Sequence, residues 1–267
     1  MSVRFERDER GGVTVWVHGQ PQSYVAPHDP GLLAFEYVEQ LGAVVDSIAP
    51  EGDRIAVTHV GGAGLTLPRY VEFTRPGSTQ IVFEPDAVLT EHVRRELPLP
   101  RGHRIRVRPL DGRAGLSAVS DASADLVVVD AFSDGAVPAE LTTVEFYREA
   151  LRVLRPDGLL AANVTDALDR RYLVRVLAGV LEVASACVVL ATHDVLKGRR
   201  FGNYVIVAGQ GPLPLRELSR RVAKTAAPAG MWLPARVSAL SRSARPSTDA
   251  DPARCPPAPD PGSWRVR

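Results

Sequence analysis

From residue 54 onward, apolar positions fall into short unbroken runs separated by stretches with apolar residues three and four apart. The runs are 55–60 (IAVTHV), 80–84 (QIVFE), 104–108 (RIRVR), 125–130 (DLVVVD), 158–164 (GLLAANV), 186–192 (ACVVLAT) and 203–208 (NYVIVA). Unbroken runs of this length predict strands buried on both faces, as in a parallel sheet covered by helices. The intervening periodicity predicts helices over about 66–74, 86–96, 142–154 and 168–184. Strand and helix in alternation make βαβ units and a doubly wound α/β sheet. Only "HDVLKGRRFG" separates the last two strands, too short for a helical crossover, so these two are expected to be antiparallel neighbours. The expected fold is a seven-stranded, mostly parallel sheet ending in an antiparallel hairpin.

The N-terminal pattern differs. "GGVTVWVHGQPQSYV" alternates, turns at Gly19-Gln20-Pro21 and extends again, which predicts a small β-hairpin. "DPGLLAFEYVEQLGAVVDSI" then has helical spacing, with Asp29 as expected N-cap and Pro30 at the first helical position. At the other end, residues 228–267 hold eight of the chain's 22 prolines among Ser, Ala and Arg. That composition predicts disorder past about Ser238. The expected organisation is a hairpin region (1–30), an α/β domain (31–237) and a disordered tail (238–267).

Composition narrows the function. The chain is 45% hydrophobic and 24% charged with a formal net charge of +1, which is globular and lacks the basic excess of a nucleic-acid protein. No apolar run reaches the ~18 residues of a membrane span, and "MSVRFERDERGG" has no signal-peptide core. A cytoplasmic protein is expected. Cys187 and Cys255 are too few and too far apart for a metal site or a disulfide framework, and the six histidines show no ligand spacing, so no metal is expected.

Ligands of open α/β sheets bind beyond the carboxyl ends of the strands. The first strand ends in Gly61-Gly62-Ala63-Gly64, the second in Glu84, the third leads to Asp111-Gly112, and the fourth ends in Asp130 of "VVVDAFSDG". Glycine lets a ligand approach bare backbone, and the following helix start offers unpaired N–H groups. Glu84, 20 residues after Gly64, is placed to accept from two ribose hydroxyls. Asp111 suits an adenine amine, and Asp130 a cationic centre. A phosphate cradle is disfavoured: there is no Gly-Lys-Ser/Thr, and the third glycine of a dinucleotide fingerprint would fall on Leu67. An adenosyl sulfonium compound fits better. Asn203 and Tyr204 are candidates for the acceptor pocket, Tyr204 equally for the sheet, and His59 is expected to be packed.

These residues resemble the spermidine synthase family of the class I methyltransferase fold. The likeness runs from about residue 13 to 208 and rests on "HVGGAGLTLPRY", "IVFEPDAV", "RPLDGRAGL" and "ADLVVVDAFSDGAVPAELTTVEFYREALRVLRPDGLLAANV". It implies aminopropyl transfer from decarboxylated S-adenosylmethionine to a small-molecule amine, and a homodimer. By resemblance Gln22, Gly61, Gly62, Gly64, Glu84, Asp111, Gly112 and Asp130 hold the donor, while Asp134 and Asp130 carry the chemistry. Three departures accompany it. Ala63 stands where the family usually has an aspartate for the aminopropyl amine. Ala34, in Ala34-Phe35-Glu36, stands where a Tyr-x-Glu pattern puts a catalytic tyrosine. The loop Asp130–Gly135 is one residue longer than Asp-x-x-Asp-Pro. Two alternatives therefore stay open: methyl transfer from intact S-adenosylmethionine, and a nucleoside-binding relative without chemistry.

Overall fold

The computed structural model describes residues 3–259. β1 (Val3–Arg7), β2 (Val13–Val17) and β3 (Gln20–Val25) form an antiparallel sheet in that order. The expected hairpin therefore gains a third strand. The α/β body follows as α1 (Glu36–Ile48), β4 (Ala56–Val60), α2 (Thr66–Thr74), β5 (Thr79–Phe83), α3 (Ala87–Glu96), β6 (Ile105–Arg108), α4 (Gly112–Ser117), β7 (Ala124–Val129), α5 (Val144–Val153), β8 (Leu154–Asp166), α6 (Arg171–Leu181), β9 (Ala186–Thr192), α7 (His193–Leu196) and β10 (Gly202–Gly209). It closes with α8 (Leu215–Val222), β11 (Ala229–Trp232) and α9 (Pro234–Ser241).

The large sheet has the order β11-β9-β10-β8-β7-β4-β5-β6. The strands from β6 to β8 run parallel, and β10 inserts antiparallel between β8 and β9. All seven expected strands are present; β11 adds an eighth at the edge, antiparallel to β9. After β4 the chain builds outward through β5 and β6, then returns to place β7 on the other side of β4. The crevice between β4 and β7 is the switch point where such sheets bind ligands.

Alternation within the buried strands divides the core. Val127 and Val129 of β7 pack with Phe146, Leu173 and Leu177 on one face, while Leu126 and Val128 pack with Leu41, Val44 and Val71 on the other. A third cluster joins Val13, Val15 and Val25 of the small sheet to Leu89 and Val93 of α3. The hairpin is thereby fixed over the carboxyl edge of the large sheet.

Two expectations are corrected. The Asp29 N-cap does not form: Asp29–Leu32 make a turn, with Leu32 N–H donating to the Asp29 carbonyl at 2.9 Å, and α1 starts only at Glu36 after extended Phe35. The disorder expected past Ser238 is also not seen within the described residues. α9 continues to Ser241, Ser247 is fully buried, and Ala253 is 2% exposed. The Arg175 guanidinium donates to the carbonyls of Arg245, Pro246 and Asp251 and to the Asp251 carboxylate at 2.7–3.3 Å. Val144 N–H donates to the Ser247 carbonyl at 2.8 Å. Proline-rich chain makes few bonds of its own, and here the body supplies them. Residues 260–267, the rest of the expected tail, lie outside the described residues.

Candidate active site

The turn after β4 is built by close approach. Gly61 has φ +87°, and a Cβ there would lie 2.2 Å from the Asp130 carbonyl oxygen. Only glycine lets the ends of β4 and β7 meet this closely. Ala63 (φ +35°) and Leu65 (φ +60°) also adopt left-handed conformations, a strain that non-glycine residues hold only where surrounding contacts impose it. The Glu84 carboxylate is one such contact. One oxygen accepts from the N–H groups of Gly62 and Ala63, both at 3.2 Å, and the other from Asp86 N–H at 3.1 Å.

Around this turn opens a cavity of about 880 Å³. Of the residues expected at the site, Gln22, Gly61, Gly62, Glu84, Asp111, Gly112, Asp130 and Asp134 all line it. Gly64 does not. Its N–H donates to Ser23 Oγ at 3.0 Å, and a Cβ there would meet Ser23 Cβ at 2.8 Å, so its bareness serves hairpin packing.

The carboxylates differ in setting. One Asp111 oxygen caps α4, accepting from Arg113 and Ala114 N–H at 2.9 Å each; the other has no hydrogen bond among the described residues. Asp130, at the end of β7, accepts from Asn163 Nδ2 of β8 at 2.9 Å, and Asn163 Oδ1 accepts from Asn203 Nδ2 of β10 at 3.0 Å. Burial pushes Asp130 up to about 6 against the opposing pull of the Asn163 amide. Asp134 lies at the mouth. Ser133 and Ala136 exchange backbone hydrogen bonds at 2.9 and 3.0 Å, with Asp134 at φ +50° and Gly135 at φ +78° between them. This is a two-residue hairpin turn with both central residues left-handed, a geometry that favours Asp-Gly. The Asp134 side chain is 83% exposed, its nearest cation-capable neighbour being His18 Nδ1 at 3.4 Å.

Tyr37 was missed in the sequence. It lies in the first turn of α1, lines the cavity, and is held protonated by burial and by the nearby Asp130 charge, both of which raise its pKa. The signal was present: Tyr37-Val38-Glu39 is itself Tyr-x-Glu, one helical turn beyond Ala34. His59 is packed, as expected, 2% exposed with Nε2 3.0 Å from Gln80 Oε1; burial pulls it down to about 4. Tyr204 is a sheet residue, fully buried, its hydroxyl donating to the Val195 carbonyl at 3.1 Å.

No family model matches the chain. Over 116 residues it is 28% identical to a polyamine aminopropyltransferase of Vibrio vulnificus, a match spanning 43% of this chain and only 38% of that protein's length. The fold superposes with a TM-score of 0.86 on the crystal structure of a probable spermidine synthase from Corynebacterium glutamicum, at 28% identity over 92% of both chains. Spermidine synthase from Thermotoga maritima (TM-score 0.60, 17% identity, 89% of this chain and 79% of that one) shares the fold. So does human methyltransferase-like protein 13 in complex with SAH (0.54, 19%, 79% and 93%). Strand order, a carboxylate at each of three strand ends and the likeness across nearly the whole chain agree: the chain has the class I methyltransferase fold in its spermidine-synthase-like form.

Proposed function

We propose that the protein is a transferase that moves the aminopropyl group of decarboxylated S-adenosylmethionine to a small-molecule amine. The observation that carries this reading is the charge of the cavity. Glu84, Asp86, Asp111, Asp130, Asp134 and Glu140 line it, and among the described residues no lysine or arginine does. Such a wall suits a donor and an acceptor that are both cations, and offers no cationic side chain to a donor carboxylate.

Each residue has a distinct task. The backbone N–H groups orient Glu84, filling one oxygen with two hydrogen bonds and leaving on the other, which accepts only from Asp86, a lone pair for a ribose hydroxyl. The free oxygen of Asp111 accepts from the adenine amine. Gln22 covers the nucleoside from the hairpin, and the backbone at Gly61 and Gly62 lines the cavity beside it. The acceptor arrives as an ammonium and must lose a proton before its nitrogen has a lone pair. Asp130, at about 6 and half-buried, takes that proton near neutral pH. The amine then attacks the carbon beside the sulfonium, the C–S bond breaks with its electrons going to sulfur, and neutral methylthioadenosine leaves. The product amine leaves as an ammonium carrying the new C–N bond, and the single proton released is the one Asp130 took, which it then passes to solvent. Tyr37, uncharged, offers a hydroxyl to the same nitrogen, and Asp134 attracts the ammonium at the mouth. The same reading takes the enzyme to act in the cytoplasm as a homodimer, which sedimentation equilibrium tests.

Methyl transfer from the intact donor remains the second reading because Ala63 removes one charge-assisted contact to an aminopropyl amine, of order 1.5–3 kcal/mol. Mass spectrometry separates the two. The protein is incubated with each donor and a panel of amines. Methylthioadenosine together with an aminopropylated amine is the expected result. S-adenosylhomocysteine as the sole nucleoside product would establish the second reading, and binding of both donors without turnover would leave a nucleoside-binding relative.

A further inference from the structure

Strand alternation places Asp130 on the same face of the large sheet as Leu126 and Val128, the face that α1 covers. On neighbouring β8, Leu159 and Ala161 share that face, and the next position in register is Asn163. On β10 beyond it, Val205 and Val207 share the face, and the next position is Asn203. Two amides thus continue a row of aliphatic side chains at the cavity end of the sheet. Asn163 is fully buried, and an amide in that position costs free energy unless both its ends are hydrogen-bonded.

Both ends are bonded, and the order of the bonds is forced. An ionised carboxylate only accepts, so Asn163 must turn Nδ2 to Asp130, as it does at 2.9 Å. Its Oδ1 then faces β10 and needs a donor, which Asn203 Nδ2 supplies at 3.0 Å. The two amide dipoles point the same way, positive end toward the carboxylate. If Asp130 were protonated, nothing would fix this order.

We propose that Asn163, backed by Asn203, is a positioning residue that keeps Asp130 ionised and turns its second oxygen toward the cavity. The inference rests on the reading that Asp130 takes the acceptor's proton, but the state of the carboxylate can be measured without turnover. Burial raises Asp130 and the Asn163 amide opposes that rise, in the sense the geometry requires. The ionisable groups that share the cavity wall with it are Tyr37 on α1, His59 on β4, Glu84 and Asp86 after β5, Asp111 at α4, Asp134 on its own loop, Glu140 before α5, and His18 and Tyr24 on the hairpin. Among the described residues the side chains of Asn163 and Asn203 hydrogen-bond only Asp130 and each other, so variants at the amides break no hydrogen bond of that surround.

The test is carboxyl ¹³C NMR on protein labelled at aspartate, with the Asp130 resonance assigned by its loss in Asp130→Asn. Asn163→Leu is expected to raise the midpoint by about one pH unit, the scale of one hydrogen bond to a charged group. Asn203→Ala should raise it less, and should add nothing in the Asn163→Leu background, because Asn203 acts only through Asn163. If the aminopropyl reaction is found, the acid limb of kcat/KM moves up with the NMR midpoint, while KM for the donor does not change. An unmoved midpoint in a folded variant at either position would overturn the inference and leave the amides as packing. Additive shifts would overturn the relay from Asn203. If Asn163→Leu fails to fold, Asn203→Ala decides. A shifted midpoint without any aminopropyl product would uphold the control of Asp130 while ending the proposed reaction.

Discussion

Glu84 has two tasks on one carboxylate, and they separate by mutation. It closes the left-handed turn through Gly62 and Ala63, and it is proposed to hold the ribose. Glu84→Gln keeps an acceptor for the turn but loses the charge, so donor affinity measured by calorimetry should fall about 10- to 100-fold, while thermal unfolding stays cooperative. Unchanged affinity would remove the ribose assignment. Asp130 and His59 make a second pair of residue-scale expectations, with opposite signs. Asp130 lies at about 6 when folded against an ordinary 3.8, so its contribution is favourable below 3.8 and is lost as pH rises through 6. Asp130→Asn should therefore abolish turnover yet stabilise the protein at pH 7.5 by at most about 3 kcal/mol, a gain that vanishes by about pH 4. His59 lies at about 4 against 6.5, so its contribution is present above 6.5 and is lost as pH falls through 4. The two nearly offset one another across that window. Urea melts should show Asp130→Asn losing stability as pH falls from 6.5 to 4, and His59→Gln gaining it.

At the scale of elements, Arg75 holds together pieces that the hydrophobic pattern does not connect. It is 1% exposed and follows α2, and its guanidinium donates to the carbonyls of Val45, Ala49, Pro50 and Asp53 at 2.7–3.2 Å. Those carbonyls end α1 and begin the approach to β4, where the helix has no basic residue in its own last turn. Arg75→Ala strands several buried acceptors and opens a cavity, so a loss of at least about 3 kcal/mol is expected. For a chain this size that is a fall in Tm of roughly 6–12 °C. Arg75→Lys, with fewer donors, should recover only part of it, and a Tm within about 2 °C of the parent for Arg75→Ala would refute the role. No sequence pattern announced Arg75, because its partners are backbone atoms 22 to 30 positions away. The strands were legible because burial on both faces leaves an unbroken apolar signature. The strand-end carboxylates were legible because strand ends are. The start of α1 was misread because Asp29-Pro30 has the chemistry of a cap while Gly31 and the following residues turn instead. Tyr37 was passed over because the Tyr-x-Glu spacing was sought one turn too early.

Across the whole molecule, the segment after α9 ties together elements that lie far apart in the chain. Asp249 takes the Arg113 guanidinium, which also donates to the Glu140 carbonyl at 2.9 Å and to Thr143 Oγ1, the N-cap of α5, at 2.7 Å. Arg113 follows Asp111 and Gly112, and Glu140 and Leu141 line the same cavity. The far end of the segment is held by Arg175 on α6, through Asp251 and three backbone carbonyls. The strap therefore spans from α6 to the wall proposed to face adenine. A chain ending at Ser243 strands the Arg175 guanidinium, takes from Arg113 its only carboxylate partner among the described residues, and uncovers the face of α5 and α6 on which Ser247 and Ala253 are buried. Its Tm should drop by several degrees, and KM for the donor should rise severalfold with a smaller change in kcat, because the reacting end of the cavity around Asp130 and Tyr37 is untouched. Arg113→Ala in the full-length chain is the finer probe. It should reproduce the change in KM with less loss of stability, since Arg175 still holds the strap. A truncated chain with the Tm and donor KM of the parent would mean that the segment only rests on the surface, and that the adenine wall stands without it.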